Sequence, residues 1–594
     1  MIHFNTVNFF DYVLIGLYFA IIIWVGLYSA KQSKNTDEFF RGGGRIPWMI
    51  AGLSNFVSGF SAFMFVAAAG FTYQYGLGSA VIFTSAFWAY LLGYGVFSKR
   101  WSRARLRSPL EFLTRRFSSS TTYFYSLTTL VPQIVGIGQG LYILCIFIST
   151  ALGFNNQTFD FGVVSVSGFQ LSIILSGTVM VVYSVIGGLW AGVLSDTVQG
   201  IIIGVMTLII APVSYMYLGE GNGIIAGFTR LLKEAPKGYF GLAGDTANPL
   251  FLLSYLISVM LGYNVSWALV QRYSGVPDEK DARKMALLCA GLSVAAPMMW
   301  IMPVMASRII FPDINALWPT FAVPSEASFV SLALALLPHG LIGFVVSAIL
   351  SATLGQANDA FNWLAATLTR DVYAPLKKRL TGDLPSDSSQ LFVARLTMLI
   401  VGVLGIGVAL YIPKLGGAFE FALGFYSLTA AFAMPVFLGM LYTRTPWWSG
   451  IASCSAAMIV ALTLMSAGVW KEQVFVRNML SESIVALIVF FGSALWYKED
   501  DPRNAEIHRL EEDLRAPLHS QGNEAAFAGM RVYNLIGQIC FLLGGVLLAC
   551  TLLPSTPVAP AGLNAVAGVM LLLLGLGIWY GTRTKAPMAV GKTL

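Results

Sequence analysis

Residues 340–373 read GLIGFVVSAILSATLGQANDAFNWLAATLTRDVY. The opening of this stretch is almost wholly apolar, yet Gln356, Asn358, Asp359 and Asn362 then crowd within about two helical turns, ahead of the basic Arg370. An ionised Asp at the centre of a membrane helix costs roughly 2.5–3.5 kcal/mol on insertion scales. A helix that carries one must turn it toward a partner, a cavity or water. The stretch therefore predicts a membrane-spanning helix with a polar task.

The rest of the chain supports that reading. Of 594 residues, 56% are hydrophobic and 11% charged, where soluble domains carry about a quarter charged residues. Mean hydropathy is +0.72. A hydrocarbon core of about 30 Å takes roughly 20 apolar residues of helix. Fifteen such runs occur, near 11–31, 48–70, 77–98, 121–151, 162–186, 191–217, 250–271, 284–310, 328–361, 392–412, 418–441, 449–467, 480–497, 532–553 and 562–581. The chain is thus expected to be an all-α polytopic membrane protein embedded in the lipid bilayer.

Lys and Arg concentrate in cytoplasmic loops. The segment from Lys99 to Arg116 holds seven cations against Glu111, and Lys31, Lys34, Arg41 and Arg45 follow the first run. Counted alternately, "QRYSGVPDEKDARK", "RDVYAPLKKRL", "YTRTP" and the tail with Arg583, Lys585 and Lys592 fall on the same side. This predicts an outside N-terminus and a cytoplasmic C-terminus. The formal charge of +7 is accounted for as an orientation signal, which argues against nucleic-acid binding. Cys145, Cys289, Cys454, Cys540 and Cys550 lie inside apolar runs without metal-ligand spacing, so they are packing residues. No basic segment precedes the first run, so its helix is expected to be retained.

The chain divides into a leading helix and loop (1–47), two blocks of five spans (48–217 and 250–441), two accessory helices (442–497), a polar connector (498–531) and two last helices with a basic tail (532–594). The connector is cytoplasmic by the same alternation; its "EIHRLEEDL" suits a short surface helix, and His508 and His519 have no partner at ligand spacing. An odd number of spans, repeated, must return inverted, and inverted repeats place transporter sites where a helix in each half is interrupted. The second run places Ser54, Ser58 and Ser61 on one face beside Gly59, and "MLGYNVSWALVQRY" opens the second block. Small residues at these positions also suit close helix packing.

These motifs together resemble the sodium/solute symporter family. The resemblance rests on "DEFFRGGGRIPWMIAGLSNFVSGFSA", "GGLWAGVLSDTVQGIIIGV", "QRYSGVPDEKDARK" and "LPHGLIGFVVSAILSA" with "TRDVY", which occur in order across 10–497. It implies a leucine-transporter-like five-plus-five inverted repeat, one helix before it and four after, and symport by alternating access. It also implies a sodium ion held by the backbone carbonyls of Val57, Phe60 and Ala352 and by hydroxyls at positions 355 and 356. Here those positions are Gly355 and Gln356. Gly offers no side-chain oxygen, whereas Gln356 offers an amide oxygen with Asp359 on its helical face. Asp196, in the matched "SDTVQ", is a carboxylate the family places near a further cation position. Three readings follow: a rearranged sodium site using Gln356 with Asp359 or Asp196, a proton-coupled carrier, or an uncoupled one. For Asp359, ahead of Arg370, hydration from the cytoplasmic side is a further alternative.

By the same resemblance the solute pocket is lined by Ser58, Ser61, Phe63 and Met64, by Phe83 and Phe87, by Gln133, Gln139 and Tyr142, by Asn264, Ser266 and Trp267, and by Phe425 and Tyr426. Sugar-binding relatives carry Glu or Gln where Met64, Phe63 and Phe83 stand here, and no Arg occurs between 121 and 151 to meet a sialic acid carboxylate. The expectation is a sodium-driven symporter of a small organic solute in the cytoplasmic (inner) membrane, with no obligate protein partner. A nutrient sensor on the same fold is the alternative. No motif of an enzyme occurs in a membrane-facing position.

Overall fold

The computed structural model describes residues 4–590 except 6, 31–43, 60–61, 105, 107–109, 155–156, 161, 163–164, 320, 322, 415–421, 425, 518–521 and 555–558. The described chain is helical apart from one hairpin, Thr158–Asp160 paired antiparallel with Ser165–Ser167. Among the described residues, eleven helices are long and apolar enough to cross a membrane, and four shorter apolar helices accompany them.

The longer helices are numbered in chain order. The leading helix is α1 (Phe9–Ala30). Helix α2 (Trp48–Ser58) stops at Gly59, and helix resumes at Ala62–Phe65 and Ala67–Tyr75. After Ala86–Leu92 come α3 (Leu130–Ala151) and α4 (Gly168–Leu218). The second block opens with α5 (Pro249–Val265), which breaks at extended Ser266 before α6 (Trp267–Gly275). Then follow α7 (Glu279–Ile310), α8 (Leu341–Ala366), α9 (Asp387–Tyr411) and α10 (Thr429–Leu441). The chain ends with α11 (Ser449–Ser466), α12 (Val474–Ser493), α13 (Gly522–Ala549) and α14 (Gly562–Val590).

Three of the expected runs change. The runs 162–186 and 191–217 lie in one helical element, α4, of 51 residues, about 77 Å of helix, within which Gly192–Leu218 is long and apolar enough to cross a membrane and Gly168–Val182 is a shorter apolar stretch. Its entry is fixed by a capping box in which Ser167 and Gln170 exchange hydrogen bonds. Conversely, the single run 328–361 is two helices, Ser328–Leu336 and α8. Pro338 lacks an N–H and Gly340 sits at φ +95°, a left-handed conformation that glycine adopts without strain, so the chain turns there.

Helix α8 is central. Its most apolar window is 94% buried inside the protein, against 28% for α14. Within the connector, Ala505–Arg515 forms a surface helix that buries Ile507 and Leu510. Arg103 pairs with Glu279 and donates to the carbonyls of Leu514 and Arg515, both at 3.0 Å. Three polar segments therefore share one face.

Candidate cation and solute site

Where α2 ends, Ser54 and Ser58 stand one turn apart on one face. Asp196 from α4, Asp359 from α8 and Arg272 from α6 converge on them. Arg272 Nη2 lies 2.9 Å from Asp196 Oδ2 and 2.7 Å from Asp359 Oδ2. The same nitrogen donates to Ser58 Oγ at 2.7 Å, and Arg272 Nε donates to Ser54 Oγ at 2.8 Å. In turn Ser54 donates to Asp196 Oδ2 at 2.7 Å and Ser58 to Asp359 Oδ2 at 2.8 Å. None of the five is more than 5% exposed. Hydration of Asp359 from the cytoplasmic side is thereby corrected: it is buried and paired.

Two carboxylates share one guanidinium, and with both ionised the cluster carries a net charge of −1. The second oxygen of each aspartate, Oδ1, is buried without a hydrogen-bond partner among the described residues. Bare acceptors are costly in a dry interior. Chemically, a hard cation or a proton suits such an oxygen.

The geometry also explains Gly355. A Cβ there would stand 2.2 Å from Asp196 Oδ1 and 3.4 Å from Gln199 Oε1. The Asp196 carboxylate fills the space where the family's hydroxyl side chain is expected, and glycine makes room for it. Gln356 is not brought into the cluster. It is half-buried, and its Oε1 points toward α3, 3.8 Å from where a Cβ on Gly140 would stand.

Of the other expected ligands, Val57 is buried in the last turn of α2. Phe60, Ser61 and Phe425 lie outside the described residues, as does the side chain of Ala352. Ser58, expected against solute, is engaged in the charge cluster. Asn264 is buried and committed to helix packing, donating to the carbonyls of Ala89 (3.0 Å) and Met260 (2.9 Å). Gln139 and Tyr142 are buried on α3. Phe83 is buried against Trp300, ring centroids 5.2 Å apart. Phe63, Met64, Phe87, Gln133, Ser266 and Trp267 are half-buried, and Tyr426 is 40% exposed.

Arg272 was not anticipated, because "QRYSGVPDEKDARK" reads as a cytoplasmic loop. One signal was present: two carboxylates in apolar helices demand a buried cation, and Arg272 closes the interrupted span that opens the second block.

A sequence profile of the Sodium:solute symporter family matches residues 39–460. The sodium/sialic acid symporter NanT of Aliivibrio fischeri is 24% identical over 477 residues, covering 77% of this chain and 88% of the relative. The sodium/glucose cotransporter of Vibrio parahaemolyticus is 23% identical, covering 85% of this chain and 94% of its own length. Among solved structures, a substrate-bound, outward-open Na+-coupled sialic acid symporter superposes with a TM-score of 0.69 at 20% identity, over 83% of this chain and 98% of that one. That likeness is one of fold.

Proposed function

We propose, from the premise that the chain belongs to the sodium:solute symporter family, that its sodium binds at the buried cluster of Asp196 and Asp359, with Arg272 as built-in counter-charge. The chain is a sodium-coupled solute symporter, a multi-pass membrane transporter and not an enzyme. The observation that carries the site is the charge imbalance: two carboxylates against one guanidinium, with both Oδ1 atoms bare. One monovalent cation restores neutrality, and hard cations take oxygen ligands. Backbone carbonyls at Val57, Phe60 and Ala352 complete the ligand set by resemblance.

Arg272 lies five residues beyond Trp267 on α6, so a solute that shifts the start of α6 changes how the two aspartates share it. That linkage couples the two cargoes. The solute is a small organic molecule held beside Phe63, Met64, Phe87, Trp267 and Tyr426. None of these is charged, which supports recognition by apolar and aromatic faces.

The 48–217 and 250–441 blocks are proposed as the inverted repeats, supported by helix breaks after Ser58 and at Ser266, each at the start of its block. The N-terminus is placed outside and the C-terminus in the cytoplasm of a cell with this protein in its inner membrane. The contacts of Arg103 with Glu279 and with the connector helix support one cytoplasmic face.

Uptake by proteoliposomes, across a panel of small solutes, tests the reading. A sodium gradient is expected to drive accumulation of at least one. Accumulation driven by a proton gradient with sodium absent refutes the assignment of the cluster to sodium.

A further inference from the structure

Outside the cation cluster, Glu482 is a buried carboxyl that accepts a single hydrogen bond among the described residues. It lies near the middle of α12, beyond the two five-span blocks, and is 0% exposed. Its Oε2 accepts from the backbone N–H of Ala431 at 2.8 Å. Ala431 is the third residue of α10, and Leu428 before that helix supplies no side-chain cap. A residue of α12 thus satisfies an amide that a helix start leaves open. One turn earlier on α12, Asn478 donates to Ser427 Oγ at 3.1 Å, and Ser427 donates to the Gly424 carbonyl at 2.7 Å. Helix α12 holds the entry to α10 at two points, with Tyr426 beside them.

The other oxygen, Oε1, accepts nothing from the described residues. Arg477 is five residues earlier, about 140° away around the helix. Its Nε donates to Asn478 Oδ1 at 2.9 Å and its Nη1 to the Val469 carbonyl at 2.8 Å. Among the elements packed on α12, α10 has no titratable side chain, α11 offers the buried Cys454, and α5 offers Tyr255 and Tyr263. Beyond them the Ser119–Thr128 helix presents Tyr123 and Tyr125, while Lys471 and Glu472 at the head of α12 are exposed. No cation therefore balances this carboxyl among the described residues.

One amide does not compensate a full negative charge stripped of water. A hard metal ion needs several oxygen ligands, and no group of three or more His, Cys, Asp or Glu that could hold one occurs among the described residues. A proton needs a single oxygen, and Oε1 is bare. We propose that Glu482 is a proton-binding site, which makes α12 a proton-dependent clamp on the start of α10. With the proton on Oε1, Oε2 still accepts the Ala431 amide and the site is neutral. Releasing it leaves a buried anion that must draw in water or move the helix start. The far end of α10 is fixed by Arg116, whose Nε donates to the Gly439 carbonyl at 3.1 Å and Nη2 to the Tyr442 carbonyl at 2.9 Å. The response is thereby confined to the end beside Tyr426.

Infrared pH titration of the purified full-length protein in lipid nanodiscs tests this independently of where sodium binds. Wild-type protein is expected to show, at neutral pH, the carbonyl stretch of a protonated carboxylic acid, lost on alkaline titration. The band should be missing in E482Q and retained in D196N and D359N, which separates this site from the cation cluster. No such band in the wild type, or one that E482Q leaves unchanged, overturns the proposal. If E482Q does not fold, E482D decides: a shifted band or titration midpoint is expected, and an identical one overturns the proposal.

Discussion

Helix α8 meets two buried carboxylates, and they are solvated in opposite ways. At its start Asp11 reaches over from α1, its Oδ1 accepting from the backbone N–H groups of Gly340 (2.7 Å) and Gly343 (3.1 Å). Its Oδ2 accepts from the Asn8 N–H at 3.0 Å and meets His339 Nδ1 at 3.0 Å. In the middle of α8, Asp359 divides Arg272 with Asp196 through one oxygen, and its other oxygen is bare. Both residues are at most 1% exposed. Burial alone therefore does not separate the two carboxylates; the number of donors does. Asp11 is saturated and caps α8, whereas Asp359 has capacity left for an ion.

The contrast is broken most severely at Arg272. Replacing it with alanine strands two carboxylates, and removing one partner of a buried ion pair costs roughly 3–5 kcal/mol. R272A is expected to lower the melting temperature sharply or to abolish folded protein in detergent; melting like wild type would sink the cluster as the site of buried charge. Next in size is Asp11→Ala, which leaves open amides at the start of α8 at a cost of about 1–3 kcal/mol. Melting should fall in D11A, while the extra stability conferred by added sodium stays as in the wild type. Loss of that sodium effect would erase the distinction between the two sites.

What the sequence disclosed follows the same line. Asp196 and Asp359 were legible because an Asp inside an apolar run is costly wherever it points. Gly355 was legible as a departure, but its reason needed coordinates, since only the approach of α4 reveals the carboxylate that fills its place. Asp11, Arg272 and Glu482 were missed for one physical reason. All three lie at the ends of the apolar runs 11–31, 250–271 and 480–497, where charge is ordinarily hydrated. The merging of two runs into α4 and the split of 328–361 depend on tertiary packing and on local turn geometry around Pro338 and Gly340. Membrane class and the interrupted second and seventh spans needed only hydropathy and the placement of Ser and Gly.

A smaller effect separates charge from packing within the cluster. Asp359→Asn keeps the shape but removes the uncompensated charge, leaving Asp196 alone with Arg272. The melting temperature without sodium should change little. The sodium concentration giving half of the stabilisation should rise at least about tenfold, equivalent to about 1.4 kcal/mol. Unaltered sodium stabilisation in both D359N and D196N would place the ion elsewhere.

The smallest effect is expected at His339, and it tests why Asp11 is saturated. The imidazole is one of four partners of the Asp11 carboxylate, and its side chain is 22% exposed. Water can therefore replace it, whereas the Gly340 and Gly343 amides are buried against Asp11 and have no substitute. Asn564 donates to the His339 backbone carbonyl at 2.9 Å, and that bond survives removal of the side chain. His339→Ala should then cost only about 0.5–1.5 kcal/mol, the net worth of an ordinary hydrogen bond, with sodium stabilisation untouched. If H339A instead melts as low as D11A, the staple is an imidazole–carboxylate pair and not a helix cap, and the backbone amides at the start of α8 are incidental to it.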